Sequence, residues 1–195
     1  MENSMTALPG LQAGPPMETI TASTIRDATA EDIPRIQQIY THHVLSSTAT
    51  FEETPPTIEE MSQRLRDVRE RGLPWLVAEH EGRILGYCYA APYRPRPAYR
   101  YTIEDSVYLA DGESGKGIGH ELLAALIARC EEGPWRQMIA VIAGTQNQGS
   151  IALHRKLGFA HVGTQPETGY KFSQWIDVVF MQRALGAGGA TPPGN

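Results

Sequence analysis

The residues that offer chemistry most openly are the glycines of the stretch Ser114, Gly115, Lys116, Gly117, Ile118, Gly119. They follow an apolar run (Val107, Tyr108, Leu109) that reads as the end of a strand. They precede Leu122, Leu123, Leu126 and Ile127, which recur at helical spacing. A strand feeding a helix through glycines leaves backbone N–H groups at the positive end of the helix dipole, which is a site for an anion. Without Cβ atoms at 115, 117 and 119, the backbone can approach a group as bulky as a pyrophosphate. The spacing excludes two common loops. A dinucleotide fingerprint needs G-x-G-x-x-G, whereas these glycines run G-x-G-x-G. A Walker loop ends in Gly-Lys followed by Ser or Thr, whereas Lys116 is followed by Gly117.

The elements around this loop must hold it in place. Residues 24–26 predict a short strand. Thr29 and Asp32 form a capping-box pattern ahead of a helix with the buried stripe Ile33, Ile36, Ile39, Tyr40 and Val44. Thr57 and Glu60 repeat that pattern ahead of Met61, Leu65 and Val68, and Gly72 stops the second helix. Residues 74–79 and 83–89 predict a hairpin that turns at Glu81-Gly82. A strand over 101–109, a helix over 117–132, a strand over 138–143, a helix over 150–157 and strands over 160–164 and 175–183 complete the chain. The order is β-α-α-β-β-β-α-β-α-β-β. Hairpins in front and β-α-β-α behind predict an α/β domain, an α+β mixed sheet with helices on both faces. The crossover through 117–132 places the glycine loop at the carboxyl end of its strand, where open α/β sheets bind ligands.

Bulk properties narrow the partners. At 195 residues the chain suits one domain with a substantial core. A net charge of −5 argues against a general nucleic-acid binder, and no apolar run approaches a membrane span. The two cysteines, Cys88 and Cys130, lack metal or redox spacing and read as buried thiols of a reducing, cytoplasmic compartment. Residues 1–22 lack the basic and apolar regions of a signal peptide and read as a flexible N-terminal extension. The Gly/Ala/Pro stretch 186–195 reads as a flexible tail, which leaves 23–185 as the folded domain.

Four segments, in this order, resemble the GNAT N-acetyltransferases, and among them the phosphinothricin and methionine sulfoximine N-acetyltransferases. Residues 96–109, from Arg96 through Thr102, Ile103, Glu104 and Asp105 to Leu109, are similar to that subfamily's catalytic strand. The loop at 114–119 matches the family's pyrophosphate loop in its glycines, with Ser114 where the family has Arg or Gln. Asn147 to Ser150, followed by Leu153 to Phe159, is similar to the segment that closes over the pantetheine arm. Gly169 to Asp177 resembles the subfamily's Gly-x-Lys-x-Gly-x-Trp-x-Asp ending, with Ser173 replacing a glycine.

The resemblance implies acetyl-CoA as co-substrate, with no metal. Val107, Tyr108 and Leu109 would offer backbone groups to the pantetheine amides. The N–H groups of Ser114, Gly115, Lys116, Gly117, Ile118 and Gly119 would hold the pyrophosphate, helped by the Lys116 charge. Asn147 is read both as a pantetheine contact and as the N-cap of its helix. Acetyl transfer needs a neutral amine, so a base must take the ammonium proton. Glu104 is that candidate, set against a plain surface carboxylate. Asp105 points to the other face of a regular strand and is the weaker choice. Backbone N–H groups near Val107 and Tyr108 are expected to stabilise the oxyanion. His154 stands where many relatives have a tyrosine, and is read either as the acid for the thiolate or as structural. Arg94, Pro95, Arg96, Thr102, Ile103 and Phe51 are the expected acceptor-binding residues, with guanidinium forks suited to a carboxylate, phosphinate or sulfoximine oxygen. Lys171 and Trp175 are read as structural or as subunit contacts, and His42 and His43 as ordinary helix residues. A homodimer is implied by the resemblance.

These readings converge on an acetyl-CoA-dependent N-acetyltransferase acting on the α-amino group of a small amino-acid-like compound. Methionine sulfoximine, methionine sulfone and phosphinothricin are the types implied. The alternatives are an acetyltransferase for another amine (a polyamine or a peptide N-terminus) and a non-catalytic acyl-CoA sensor.

Overall fold

The computed structural model describes residues 23–194, so the expected N-terminal extension lies outside the described residues. The elements in chain order are β1 (Thr24–Asp27), α1 (Ile33–Ser46), α2 (Ile58–Glu70), β2 (Trp75–His80) and β3 (Arg83–Pro92). They continue with β4 (Thr102–Leu109), α3 (Ile118–Glu131), β5 (Gln137–Ala143), α4 (Gln148–Lys156), β6 (Ala160–Lys171) and β7 (Gln174–Ala184). Local chemistry sets several of these boundaries. Thr57 Oγ1 accepts from the Glu60 N–H at 3.1 Å, and the Glu60 carboxylate accepts from the Thr57 N–H at 2.7 Å. That reciprocal pair satisfies two otherwise free donors and starts α2. The β2–β3 hairpin turns at Glu81 and Gly82, both at positive φ, as a two-residue turn requires.

The seven strands form one sheet in the order β1-β2-β3-β4-β5-β7-β6. Neighbours are antiparallel except β4 and β5, which run parallel. This joint decides where the site lies. β4 pairs with β5 only from Thr102↔Gln137 to Asp105↔Ala140. Beyond it, β4 keeps its pairing to β3 as far as Leu109, and β5 keeps its pairing to β7 as far as Ala143. The two halves of the sheet therefore part after Asp105, and a channel opens between residues 106–109 and 141–143.

Helices cover the sheet from both sides. Tyr40 and His43 of α1 meet the Tyr108 ring, at 5.0 and 5.4 Å between centroids. Leu122, Leu123 and Leu126 of α3 are fully buried beneath the opposite face. Cys88 and Cys130 are buried and unpaired; burial pushes the Cys130 thiol up to about 12 and Cys88 well above its ordinary value, so both are inert at neutral pH.

One stretch differs from the sequence expectation. β6 runs to Lys171 rather than ending near 164, although it contains Gly163, Pro166 and Gly169. It is the outermost strand, and register shifts at 161/163 and 165/169 absorb the residues that a regular ladder would reject. The C-terminal stretch makes successive turns after Leu185, and the Arg136 guanidinium donates to Thr191 Oγ1 and the Pro192 carbonyl at 3.0 and 2.8 Å. Among the described residues, no helix is long and apolar enough to cross a membrane.

Candidate active site

The channel between β4 and β5 has a volume of about 660 Å³ and is open to both faces of the sheet. One side is lined by Ser114, Gly115, Gly117 and Gly119 of the loop before α3, and by Asn147, Ser150, Leu153 and His154 at α4. The other side is lined by Ala49, Thr50 and Phe51 of the α1–α2 loop, with His43 behind them. Glu104, Ser106 and Tyr108 of β4 face this second side, and Val141 and Val178 close it. The sheet is split here, so a ligand entering from one face can meet one entering from the other.

Glu104 sits in β4 opposite Ile139 of β5, within the last paired stretch before the strands part. No hydrogen bond or ion pair holds its carboxylate among the described residues. Burial, with the neighbouring charge of Asp105, raises its pKa from the ordinary 4.5 to about 7. Such a group changes protonation state near neutral pH and has oxygens free to take a proton.

Asp105 is 6 % exposed and faces the opposite way, toward α4. Its Oδ2 accepts from the His154 Nε2–H at 2.9 Å, while the His154 Nδ1–H donates to the Ser150 carbonyl at 2.7 Å. A ring that donates from both nitrogens is an imidazolium, and Asp105 is its counter-ion. Burial opposes the charge, but the Asp105 bond and charge and the Ser150 carbonyl raise the His154 pKa on balance. The other Asp105 oxygen, Oδ1, is buried with no partner among the described residues.

Residues 25–180 match the family described as "Acetyltransferase (GNAT) domain". The chain belongs to the GNAT acetyltransferases. It is 52% identical to a phosphinothricin N-acetyltransferase of Alcaligenes faecalis over 88% of this chain and 87% of that one. It is 42% identical to an L-methionine sulfoximine/L-methionine sulfone acetyltransferase of Pseudomonas aeruginosa, over 84% and 95% of the two chains. A GNAT superfamily phosphinothricin acetyltransferase from Sinorhizobium meliloti, solved in complex with AcCoA, superposes with a TM-score of 0.87 at 48% identity, over 90% of this chain and 95% of that one.

The GNAT cradle fits a pyrophosphate on this chain's own geometry. Gly115 and Gly117 adopt φ of 79° and 88°, where a side chain would be strained, and Gly117 caps α3. A Cβ built at either would meet nothing within 4 Å, so the loop leaves room beside its backbone for a bulky anion. Behind them, the first N–H groups of α3 lack intrahelical acceptors.

The remaining expected residues divide into three sets. The structure brings Phe51, Glu104, Val107, Tyr108, Leu109, Ser114, Gly115, Gly117, Gly119, Asn147 and His154 to the one channel. Asn147 also caps α4, its Oδ1 accepting from the Ser150 N–H at 3.3 Å. Thr102 and Arg94 line a neighbouring depression of about 410 Å³ with Tyr93, Tyr99 and Ile139. The Arg94 guanidinium lies over the Tyr93 and Tyr99 rings at 4.9 and 5.7 Å.

The third set needs correction. The Ile103 side chain is 1 % exposed in the core on the face away from Glu104, as the strand's alternation dictates. Ile118 needs none, since only its N–H was expected to serve and its side chain is buried at 4 %. The half-exposed Lys116 ammonium is paired with Glu113 at 3.0 Å, and Lys116 is not among the residues that line the channel. Pro95 and Arg96 are exposed on the β3–β4 connection, outside both cavities. Both N–H groups of His154 are already bonded, so an acid role would require breaking its pair with Asp105.

Sequence reasoning missed two residues of the channel. His43 donates from Nε2 to the Leu109 carbonyl at 2.8 Å, and burial lowers its pKa, so the ring is neutral. Asp105 was set aside by strand alternation, and its partner lies 49 residues away in the chain. Only a fold-level pairing of β4 with α4 would have revealed it.

Proposed function

We propose that this chain is an acetyl-CoA-dependent N-acetyltransferase for the α-amino group of small amino-acid-like compounds of the methionine sulfoximine, methionine sulfone or phosphinothricin type. The observation that carries the reading is the unpartnered Glu104 carboxylate, titrating near 7 where the channel crosses the sheet. The names of the similar proteins support the substrate class.

When bound, acetyl-CoA supplies the activated acetyl thioester. The glycine loop, Ser114 and the start of α3 hold its pyrophosphate, and the backbone of Val107, Tyr108 and Leu109 with Asn147 aligns its pantetheine arm. An amino acid arrives on the other side as an ammonium, which has no lone pair. Glu104 takes one proton at a carboxylate oxygen and leaves a neutral amine beside the thioester. A base titrating near 7 is free for much of the time at physiological pH, yet basic enough to accept. The oxyanion-stabilising role of N–H groups at Val107 and Tyr108 belongs to the same proposal. Arg94, braced by two tyrosine rings in the adjoining depression, is the cation for the acceptor's carboxylate. His154 acts as the lock between α4 and β4 rather than as the thiolate's acid.

The rest of the assignment is cytoplasmic location and a homodimer. Tyr170, Phe172 and Trp175 at the β6–β7 turn are 58%, 51% and 62% exposed, an apolar cluster that supports self-association. Light scattering that returns a monomer mass at working concentration would remove the dimer. Ser114 lacks the long polar side chain of other GNAT loops, which favours a sensor as the second reading.

The test is a panel of amino acids and amines scored for acetyl-dependent release of coenzyme A thiol. Release with methionine sulfoximine, methionine sulfone or phosphinothricin, and none with polyamines, is the expected outcome. Tight acetyl-CoA binding without release over the whole panel would establish the sensor instead.

A further inference from the structure

The wall that Phe51 builds in the channel belongs to a connection with no regular structure, the loop between α1 and α2. Such a loop cannot place a ring by itself, yet this one is tied at several points. The Tyr40 hydroxyl donates to Glu52 at 3.0 Å and accepts from Thr50 at 2.8 Å. Arg64 of α2 grips the Glu52 carboxylate with two bonds, at 2.7 and 3.1 Å. These ties come from the helices that flank the loop. Two others come from β6, more than a hundred residues later.

Lys171, the last residue of β6, is 3 % exposed. Its ammonium donates to the Ser47 and Thr50 carbonyls at 2.9 and 2.8 Å, and no carboxylate pairs with it among the described residues. A buried cation held by two carbonyls and the Phe172 ring, 4.9 Å away, is costly, and burial lowers its pKa against the weaker pull of the Glu53 and Glu52 charges. Such a group persists where it fixes something, and here it fixes the backbone on either side of Ala49. Two residues earlier lies Gly169. Its backbone is in an ordinary conformation, so no positive φ demands glycine there. What demands it is the Phe51 ring: a Cβ at 169 would lie 2.3, 2.5 and 2.8 Å from three ring carbons. Carbon atoms in contact settle at roughly 3.5–4.0 Å, so any side chain at 169 must move the ring by about 1 Å or more.

We propose that Gly169 and Lys171 are positioning residues that seat Phe51 in the acceptor side of the channel, so that the end of β6 sets acceptor affinity and fit while leaving acetyl-CoA binding alone. This rests on the reading of the Phe51 side as the acceptor side. Misplacing a contact by about 1 Å is enough to change turnover or affinity by one to two orders of magnitude.

The experiment uses Gly169→Ala, Phe51→Ala, the double variant and Lys171→Met, with steady-state kinetics in both substrates. A second readout is fluorine NMR of protein carrying 4-fluorophenylalanine. The chain has four phenylalanines, and Phe51→Leu assigns the resonance of interest. Gly169→Ala should shift the Phe51 resonance and raise the acceptor KM about tenfold, with the acetyl-CoA KM unchanged. Lys171→Met should raise the acceptor KM in the same selective way. With the ring gone there is nothing to displace, so the double variant should match Phe51→Ala alone. A stationary Phe51 resonance in Gly169→Ala overturns the seat. So does a full additional KM effect in the double variant, or an equal rise in both KM values. A shifted resonance with an unchanged acceptor KM in Phe51→Ala overturns the acceptor assignment instead, and the proposal with it.

Discussion

Glu104 and Asp105 are adjacent carboxylates in one strand, and the pleat sends them to opposite faces of the sheet. Asp105 meets His154 and becomes half of a buried ion pair that fastens α4 to β4. Glu104 meets no cation among the described residues, and burial pushes its pKa to about 7. The same functional group, withdrawn from water twice, ends in an ion pair on one side and with its pKa raised toward neutrality on the other, where the proposed base role needs it. What separates the two outcomes is the partner rather than the depth. A hydrogen-bonded cation commits a carboxylate to one contact; without one, burial leaves the Glu104 proton exchangeable near neutral pH.

The sharpest way to break this contrast is Glu104→Gln. Turnover should fall by roughly 10²–10⁴-fold, while calorimetry shows acetyl-CoA binding unchanged. The wild-type kcat/KM should rise with pH through about 7, because the ionised carboxylate is the active form, and the variant should lose that limb. Turnover at the wild-type level in neutral buffer would remove Glu104 from the base role.

Asp105→Asn attacks the other face. Removing one partner of a buried pair costs about 3–5 kcal/mol, which a denaturant midpoint would register. The His154 pKa is raised on folding, so its pair stabilises fully below the ordinary value of 6.5 and fades as pH climbs through the folded one. The variant should lack that decline. A midpoint shift of under about 1 kcal/mol would mean that the pair holds nothing together.

Glu104→Gln should also reveal what an unpartnered carboxylate costs. Its pKa is higher folded than unfolded, so the folded state holds the proton longer, and stability falls as pH rises from about 4.5 to about 7. Above that window the amide should be the more stable protein, by about 1–3 kcal/mol once water in the channel is allowed for. At pH 4 the two should unfold together. Equal stability at pH 8 would show that the carboxylate is well solvated.

The smallest effect tests the acceptor's far end. If Glu104 serves the amino group, a cation must serve the carboxylate. Arg94→Ala should raise the acceptor KM about tenfold and leave the acetyl-CoA KM alone, with little effect on an amidated acceptor. An equal response to free and amidated acceptors would remove Arg94 from the site.

Much of the fold was legible because its signals are local. Capping pairs three residues apart, a two-residue turn at Glu81-Gly82 and the glycines before α3 each act within one turn of chain. β6 was read short because Gly163, Pro166 and Gly169 look like a stop. They are tolerated because the strand is outermost, and the last of them makes room for a ring from another part of the chain. Within the site, Glu104 was singled out by the resemblance of its strand and the glycine loop by its spacing together with that resemblance, whereas strand alternation alone read Glu104 as a surface carboxylate. Lys116 was credited with a charge that Glu113 already occupies. Ile103 came in with the segment that resembles the catalytic strand, although alternation turns it to the core. Lys171 stayed undecided, since its partners are backbone carbonyls, which have no residue type to recognise.

The parting of β4 from β5 has a consequence for the protein before any ligand arrives. Each strand carries a row of peptide groups along the gap that a closed sheet would have bonded across it. The fold thus contains two open strand edges in its middle, in addition to those at its rims. Open edges invite pairing with any extended chain, and that is how many proteins aggregate. A pantetheine arm lying along the gap would satisfy these groups and screen them. Acetyl-CoA should therefore lengthen the storage life of the protein in solution, acting as a guest strand as well as a reactant.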